Sequence, residues 1–132
     1  MIEVNNLTVR YGGVMALDDI SLVIPDGKII SIVGANGAGK STTINAISGM
    51  VQATRGSIFL DGKSLDLPPH QIVRKGVVQV PEGRKIFSSI TVKENLILGA
   101  YQMKDKQQIE GNMKRVFEQY PEIGRASCRE RV

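Results

Sequence analysis

The chain has 132 residues, of which 42% are hydrophobic and 23% charged. This balance is typical of one folded soluble domain, or part of one, and not of a disordered segment. The formal net charge is +4, but the basic residues are scattered, which argues against a nucleic-acid partner. A single cysteine and a single histidine exclude an internal disulfide and a zinc site made of these two alone. With no secretory leader and no apolar run of about 20 residues, we expect a cytoplasmic location.

The first third of the chain predicts a series of strands. Residues 2–10 alternate apolar and polar side chains imperfectly, which is typical of a half-exposed strand, and a glycine pair ends it. Residues 20–24 predict a second strand, and the Pro-Asp-Gly sequence after it favours a tight turn. Because residues 28–33 (KIISIV) are apolar and β-branched, we expect a buried strand that completes a hairpin with residues 20–24.

Residues 34–41 (GANGAGKS) carry the spacing G-x-x-x-x-G-K-[ST] of a phosphate-binding loop. Small residues at this spacing let successive backbone N–H groups surround a phosphate, while Lys40 reaches the β/γ-phosphates and Ser41 binds Mg²⁺. Apolar residues at helical spacing predict a helix after the loop, which favours an anion at its N-terminus. An ordinary glycine-rich turn is the competing interpretation. The expected nucleotide-binding residues of the loop are Gly34, Asn36, Gly37, Ala38, Gly39, Lys40, Ser41 and Thr42.

The second half of the chain mixes strand and helix patterns. A proline pair at residues 68–69 suits the first turn of a short helix, and Thr91 with Glu94 forms a capping box at the start of another. The predicted strands cover residues 57–60 and 77–80, and the predicted helices run to about residue 75, over 92–102 and over 106–119. Antiparallel strands around a strand–loop–helix core indicate an α/β fold, or an α+β mixture.

These motifs together resemble the nucleotide-binding subunit of an ABC transporter. The similarity runs from about residue 2 to residue 123, and it includes the strings LTVRYGG, GANGAGKST, GSIFLDG and VPEGRKIFSSITVKENL. The last string is most similar to an ATP-binding subunit of branched-chain amino-acid importers. The resemblance implies a P-loop NTPase fold, with residues 1–123 as the N-terminal part of an ABC nucleotide-binding domain that includes its antiparallel β subdomain. We interpret residues 124–132 as an atypical tail, a frame or cloning artefact.

The resemblance also implies roles for two residues outside the loop. Tyr11 matches the aromatic residue that stacks on adenine, although a surface tyrosine beside a turn is the alternative. Glu82 matches the loop position that contacts Mg²⁺ or water and the membrane subunit. A carboxylate can bind Mg²⁺ or accept a hydrogen bond from water. Most of the family has glutamine there, and Gln79, three residues earlier in the strand, is the alternative. Lys40 and Glu82 are therefore the expected catalytic residues, and Ser41 and Glu82 the expected metal ligands.

Several motifs of the family are not found in these 132 residues. An apolar strand before Asp61 mimics the second Mg²⁺-binding motif of the family, but Gly62 follows it, so we expect a hairpin turn instead. The Leu-Ser-Gly-Gly-type signature, the general-base glutamate and the switch histidine of the family are not found in the sequence. Since phosphoryl transfer also needs a positioned water, we expect weak nucleotide binding at most and negligible turnover by this chain alone.

The resemblance implies ATP and Mg²⁺ as cofactors. It implies as partners the transmembrane permease subunits of a transporter and a second ATP-binding subunit, at the cytoplasmic face of the membrane. The alternative is a catalytically inert, nucleotide-binding fragment with no transport role. A soluble P-loop kinase or GTPase is disfavoured, because it leaves Tyr11 and the Glu82 loop unexplained.

Overall fold

A computed structural model describes residues 1–83 and 85–127 of the chain. They form two compact units that divide between Val80 and Pro81. Within the described ranges, none of the helices has both the length and the apolarity needed to cross a bilayer. The elements are β1 (Ile2–Tyr11), β2 (Val14–Ile24), α1 (Lys40–Ile47), β3 (Arg55–Leu60), β4 (Lys63–Ser64), α2 (Pro69–Arg74), α3 (Val92–Gly99), α4 (Lys106–Gln119) and α5 (Pro121–Ser127).

The first unit is built on a four-stranded antiparallel sheet in the order β2-β1-β3-β4. Strand β1 lies in its interior, with Ile2 opposite Ile24 of β2 and opposite Leu60 of β3. The predicted strands over residues 2–10 and 57–60 are confirmed, while β2 begins at Val14, six residues before the predicted strand. The sheet is the antiparallel part of the mixed α/β fold expected from the sequence.

A β-bulge explains why residues 2–10 alternate imperfectly. The pairing of β1 with β2 shifts register between Val4 and Leu7, and Asn6, within this interval, has a φ of 48°. Because a bulge adds one unpaired residue, side chains on either side of it point to the same face. The side chains that are consequently buried in one core with α1 are those of Val4, Leu7 and Val9, although these residues are not spaced by two throughout.

Helix α1 packs on this sheet and ends at a glycine. Beyond the last helical residue, Gly49 adopts a φ of 73° and its N–H donates to the carbonyl of Ala46, while Met50 N–H donates to Asn45. This is a Schellman motif, which satisfies carbonyls left over at a helix end. The buried core of the first unit consists of Val4, Leu7, Val9, Leu17, Ala46 and Ile47.

The β3–β4 turn and helix α2 follow local sequence rules. Asp61 and Gly62 both have positive φ, 50° and 72°, as a tight hairpin turn requires, so the turn interpretation of Asp61 is confirmed. Pro68 caps α2 with an extended backbone and Pro69 is its first residue, where a missing N–H costs nothing. The short helix ends at Arg74, one residue before the predicted limit.

Two predicted strands are wrong in the part of the chain that the structure describes. Residues 28–33 and 77–80 pair with no described strand. The hairpin predicted for residues 20–33 does not form, and the strand that β2 pairs with is β1. An apolar, β-branched run indicates that a segment suits a buried strand. A strand also needs a neighbouring strand with which its backbone can form hydrogen bonds.

The second unit, described over residues 81–83 and 85–127, is helical. Its capping box is confirmed, with the Thr91 side chain and the Glu94 backbone and carboxylate bonded reciprocally. Helix α3 ends at Gly99, three residues before the expected end. Helix α4 has the predicted bounds and is capped by Asp105, which accepts from two backbone N–H groups. Helix α5 was not predicted and crosses the boundary expected at residue 123; residues 128–132 of the predicted tail lie outside the described residues.

Candidate functional site

The glycine-rich loop has a backbone that most residues could not adopt. Gly37 and Gly39 lie in the left-handed region, with φ of 85° and 86°. A turn inside the loop is closed by a hydrogen bond from the N–H of Ala38 to the carbonyl of Ala35 at 3.2 Å. Because a side chain at positive φ is strained, glycine at these positions lets the backbone fold into an open curve without that cost.

Strand β2 forms the wall behind the loop. A Cβ atom added to Gly39 would lie 2.4 Å from the Cδ2 atom of Leu17 and 2.8 Å from the carbonyl oxygen of Ala16. Leu17 is itself part of the buried core. Gly39 is therefore needed twice, for its backbone conformation and for the space that the wall leaves.

The Lys40 ammonium group lies across the loop. Its Nζ donates to the carbonyl oxygens of Gly34 at 2.8 Å and Ala35 at 2.7 Å. An ammonium group has three N–H donors, and among the described residues these two carbonyls are the acceptors that it uses. A third donor remains to bind an anion above the loop.

The N-terminus of α1 opens onto the same loop. Its N-cap residue is Gly39, so no side chain caps the first turn, and the first turn contains no acidic residue. The first backbone N–H groups of a helix have no partner within the helix, and the helix field favours a negative charge beside them. Ser41 is exposed on this turn, whereas the buried Thr43 hydroxyl donates to the carbonyl of Gly39 at 3.0 Å. The curved loop, the backbone N–H groups of the first turn of α1 and the Lys40 ammonium group together fit a phosphate ligand.

Tyr11 lies at the end of the hairpin that supplies the wall. It pairs with Val14 across the β1–β2 turn, and Leu17 pairs with Val9 two residues away, about 7 Å along the strand. Its side chain is 50% exposed, so the ring is available for stacking. Its proposed contact with a base stays a prediction.

Gln79 and Glu82 have different surroundings. The Gln79 side chain is engaged with α1: its Nε2 donates to Asn45 Oδ1 at 2.8 Å, and its Oε1 accepts from the Ser48 hydroxyl. Glu82 is exposed and belongs to the second unit. Gln79 is thus occupied in holding residues 77–80 on α1, which favours Glu82 for the loop role that the sequence suggested. That role stays a prediction.

The N-terminal ammonium group of Met1 makes the other notable charge cluster. It bonds to the carboxylates of Asp26 and Asp61, the latter at 2.6 Å, and these hydrogen bonds raise the pKa of the ammonium group above its ordinary value. The cluster joins the turns after β2 and β3. Within residues 1–83 and 85–127, no group of three or more His, Cys, Asp and Glu side chains is arranged to hold a metal ion.

Sequence reasoning missed the residues that position the loop. The contact between Leu17 and the Gly39 position joins residues 22 apart, and no local motif announces it. The hydrogen bonds of Gln79 to α1 had one sign in the sequence, which is the single amide side chain inside the apolar run VVQV. A polar side chain in such a run usually needs a buried partner.

Comparison with known proteins agrees with this geometry. The model of the ABC transporter family matches residues 17–127. The chain belongs to the ABC transporter family. It is 40% identical over 124 residues to the high-affinity branched-chain amino acid transport ATP-binding protein BraG of Pseudomonas aeruginosa. This match covers 93% of the chain but 53% of the relative, so the chain spans about half the length of the curated relative.

Solved ABC structures share the fold. The chain is similar to the ATP-binding subunit of an ABC transporter, with a TM-score of 0.83 and 28% identity over 96% of the chain and 52% of that structure. It is also similar to a nucleotide-free ATP-binding cassette, with a TM-score of 0.81 and 25% identity over 98% of the chain and 56% of that structure. The expected fold, the N-terminal part of an ABC nucleotide-binding domain, is confirmed.

Proposed function

We propose that this ABC family chain binds MgATP through residues 34–42 as the N-terminal part of a transporter ATP-binding subunit. The observation that carries the proposal is the convergence of the Lys40 ammonium group and the uncapped N-terminus of α1 on one open loop. Fixed N–H donors and one cation, arranged before the ligand arrives, suit a polyphosphate.

Each side chain then has a distinct task. Lys40 donates its remaining N–H to the β/γ-phosphate oxygens and stabilises charge on the γ-phosphate, and the Ser41 hydroxyl binds Mg²⁺. The bound Mg²⁺ supplies neutralisation of the phosphate charge. Tyr11 stacks on the adenine ring. Glu82 accepts a hydrogen bond or binds the metal, and it couples the nucleotide state to the membrane partner.

The proposed transport role is the import of branched-chain amino acids. It is supported by the name and 40% identity of the Pseudomonas relative and by the PEGR string at residues 81–84. In the whole protein, two ATP-binding subunits would assemble with permease subunits at the cytoplasmic face of the membrane, and ATP hydrolysis would drive import. The rival function is nucleotide binding without turnover or transport, which the missing signature and general-base motifs of these 132 residues favour for the chain alone.

The test is binding of a fluorescent ATP analogue, with Mg²⁺, to the wild-type chain and to two variants. Hydrogen bonds to a charged group contribute about 1.5–3 kcal/mol, so Lys40→Ala should weaken binding about 10- to 100-fold. Lys63→Ala is the matched control, because Lys63 is an exposed lysine of β4 in the same unit. The control should bind like the wild type.

Equal affinity of all three proteins would contradict the proposal, because binding would then not depend on the loop. Competition by unlabelled ATP distinguishes specific binding from adsorption of the dye. Circular dichroism of Lys40→Ala checks that its fold is unchanged.

A further inference from the structure

Asn36 is the only asparagine of the sequence that a glycine follows. The residue after an asparagine decides how closely its backbone nitrogen can approach the asparagine side chain, and glycine, which has no Cβ atom, allows the closest approach. The Asn36–Gly37 pair lies in the middle of the glycine-rich loop. The other asparagines serve as internal comparisons, and they are Asn5, Asn6, Asn45, Asn95 and Asn112.

The structure leaves the Asn36 side chain and the Gly37 backbone nitrogen accessible. The two residues occupy the central positions of the turn that the Ala38 N–H and the Ala35 carbonyl close, and Asn36 is exposed. In the part of the chain whose structure is described, no hydrogen bond holds the Asn36 side chain or the Gly37 N–H. A Cβ atom on Gly37 would meet nothing within 4 Å, so the chain has room to move there.

The other five asparagines are held more tightly. The N–H of the residue after Asn5 donates to the Ser21 hydroxyl at 2.9 Å. Side-chain hydrogen bonds fix the remaining four, which are Asn6, Asn45, Asn95 and Asn112. Three of these four also lie inside helices, where the N–H of the next residue is bonded to the preceding turn. Among the six, an accessible side chain and a glycine neighbour coincide at Asn36.

We propose that Asn36 is a site of spontaneous deamidation through a cyclic imide formed with Gly37. The Gly37 nitrogen attacks the Asn36 Cγ atom, and a new C–N bond closes a five-membered succinimide ring. The bond from Cγ to the amide nitrogen breaks, and that nitrogen leaves as ammonia with the proton of the Gly37 N–H. Water then opens the ring at either carbonyl, which gives aspartate or isoaspartate. Either product replaces a neutral amide by a carboxylate.

The modification places a negative charge in the loop to which we assign phosphate binding. This consequence rests on the proposed binding of MgATP by residues 34–42. A carboxylate beside a phosphate disfavours binding because like charges repel, and isoaspartate also lengthens the main chain and changes the curve of the loop. Bound MgATP should in turn slow the reaction, because loop N–H groups that bond to phosphate keep the Gly37 nitrogen from the Asn36 side chain.

The test is incubation of the chain in mildly alkaline buffer made with heavy-oxygen water, followed by peptide mass spectrometry. We expect loss of the Asn36 amide with uptake of one heavy oxygen atom, while the other five asparagines keep their amides. Protein isoaspartyl methyltransferase should label the isoaspartate product. The converted chain, separated by ion exchange, should bind MgATP about tenfold or more weakly than the fresh chain.

Asn36→Gln is the matched control. A glutamine side chain must close a six-membered ring, which is much slower, so this variant should bind MgATP after the incubation as it did when fresh. Circular dichroism of the converted chain checks that it is still folded.

The two parts of the proposal can fail separately. An Asn36 amide that persists in the folded chain but is lost in urea would show that the loop protects it, and conversion of the other asparagines at the same rate would remove the selectivity. Equal MgATP affinity of fresh and converted chains would contradict the effect on binding. If the fresh chain does not bind MgATP, the proposed function fails, and the mass measurement still decides whether Asn36 is modified.

Discussion

Gly37 and Gly39 have nearly the same φ but different neighbours. A Cβ on Gly37 meets nothing within 4 Å, whereas a Cβ on Gly39 meets the Leu17 side chain and the Ala16 carbonyl. The two positions therefore separate the cost of a strained backbone from the cost of lost space. They form a matched pair within a single loop.

We predict that Gly39→Ala lowers the free energy of unfolding by about 2 kcal/mol more than Gly37→Ala does. Both variants place alanine at positive φ, which costs about 1–2 kcal/mol, but only Gly39→Ala also pushes β2 away from the loop. Urea unfolding of the two proteins measures the difference. Equal losses of stability would contradict the close packing of the loop on β2.

The Met1 ammonium group makes stability depend on pH in a chain that begins at Met1 with a free amine. Asp26 and Asp61 raise its pKa, so the stabilisation is fully present below the unfolded pKa of about 8. It is lost as the pH rises through the higher folded pKa. We predict that the melting temperature falls over this alkaline range more for the free amine than for an N-terminally acetylated chain. Identical pH profiles of the two preparations would contradict the ion pairs, and high salt should reduce the difference.

At the scale of elements, a side-chain network couples α1 to residues 77–80. Gln79 uses its amide as donor to Asn45 and as acceptor for Ser48. Both partners lie in or next to the last turn of the helix that follows the glycine-rich loop. Removing one member leaves a half-buried polar group without its partner.

We predict that Gln79→Ala destabilises the first unit by about 1–3 kcal/mol. A double-mutant cycle with Asn45→Ala should give a coupling energy of about 0.5–3 kcal/mol, measured by urea unfolding. Gln71→Ala, at an exposed glutamine of α2, should be nearly neutral. Additive losses for Gln79→Ala and Asn45→Ala would contradict a direct contact between them.

The elements that the sequence predicts well are those specified by nearby residues. The capping box of α3, the bounds of α4 and the hairpin turn at Asp61 each depend on residues a few positions apart. Residues 28–33 and 77–80 were wrongly predicted as strands because pairing depends on a distant partner that composition does not reveal. The bulge at Asn6 was missed for the same reason, since a bulge depends on the register of the neighbouring strand.

At the scale of the whole molecule, the candidate site was predictable only in part. The loop, Lys40 and Ser41 are read from one local motif, and the structure brings them together. The packing of Leu17 against Gly39 could be seen only in the folded structure. Tyr11 lies in the same unit as the loop, whereas Glu82 lies in the other unit, so their roles as stacking and coupling residues stay predictions.

The most direct test of the central claim is an NMR titration of the isotope-labelled chain with MgATP, following the backbone amides. The account predicts that the largest, saturable shifts occur at residues 36–42 and at Tyr11, and that Lys40→Ala raises the MgATP concentration of half-saturation about 10- to 100-fold. No saturable shifts, or shifts concentrated elsewhere in the first unit with the loop unchanged, would contradict it.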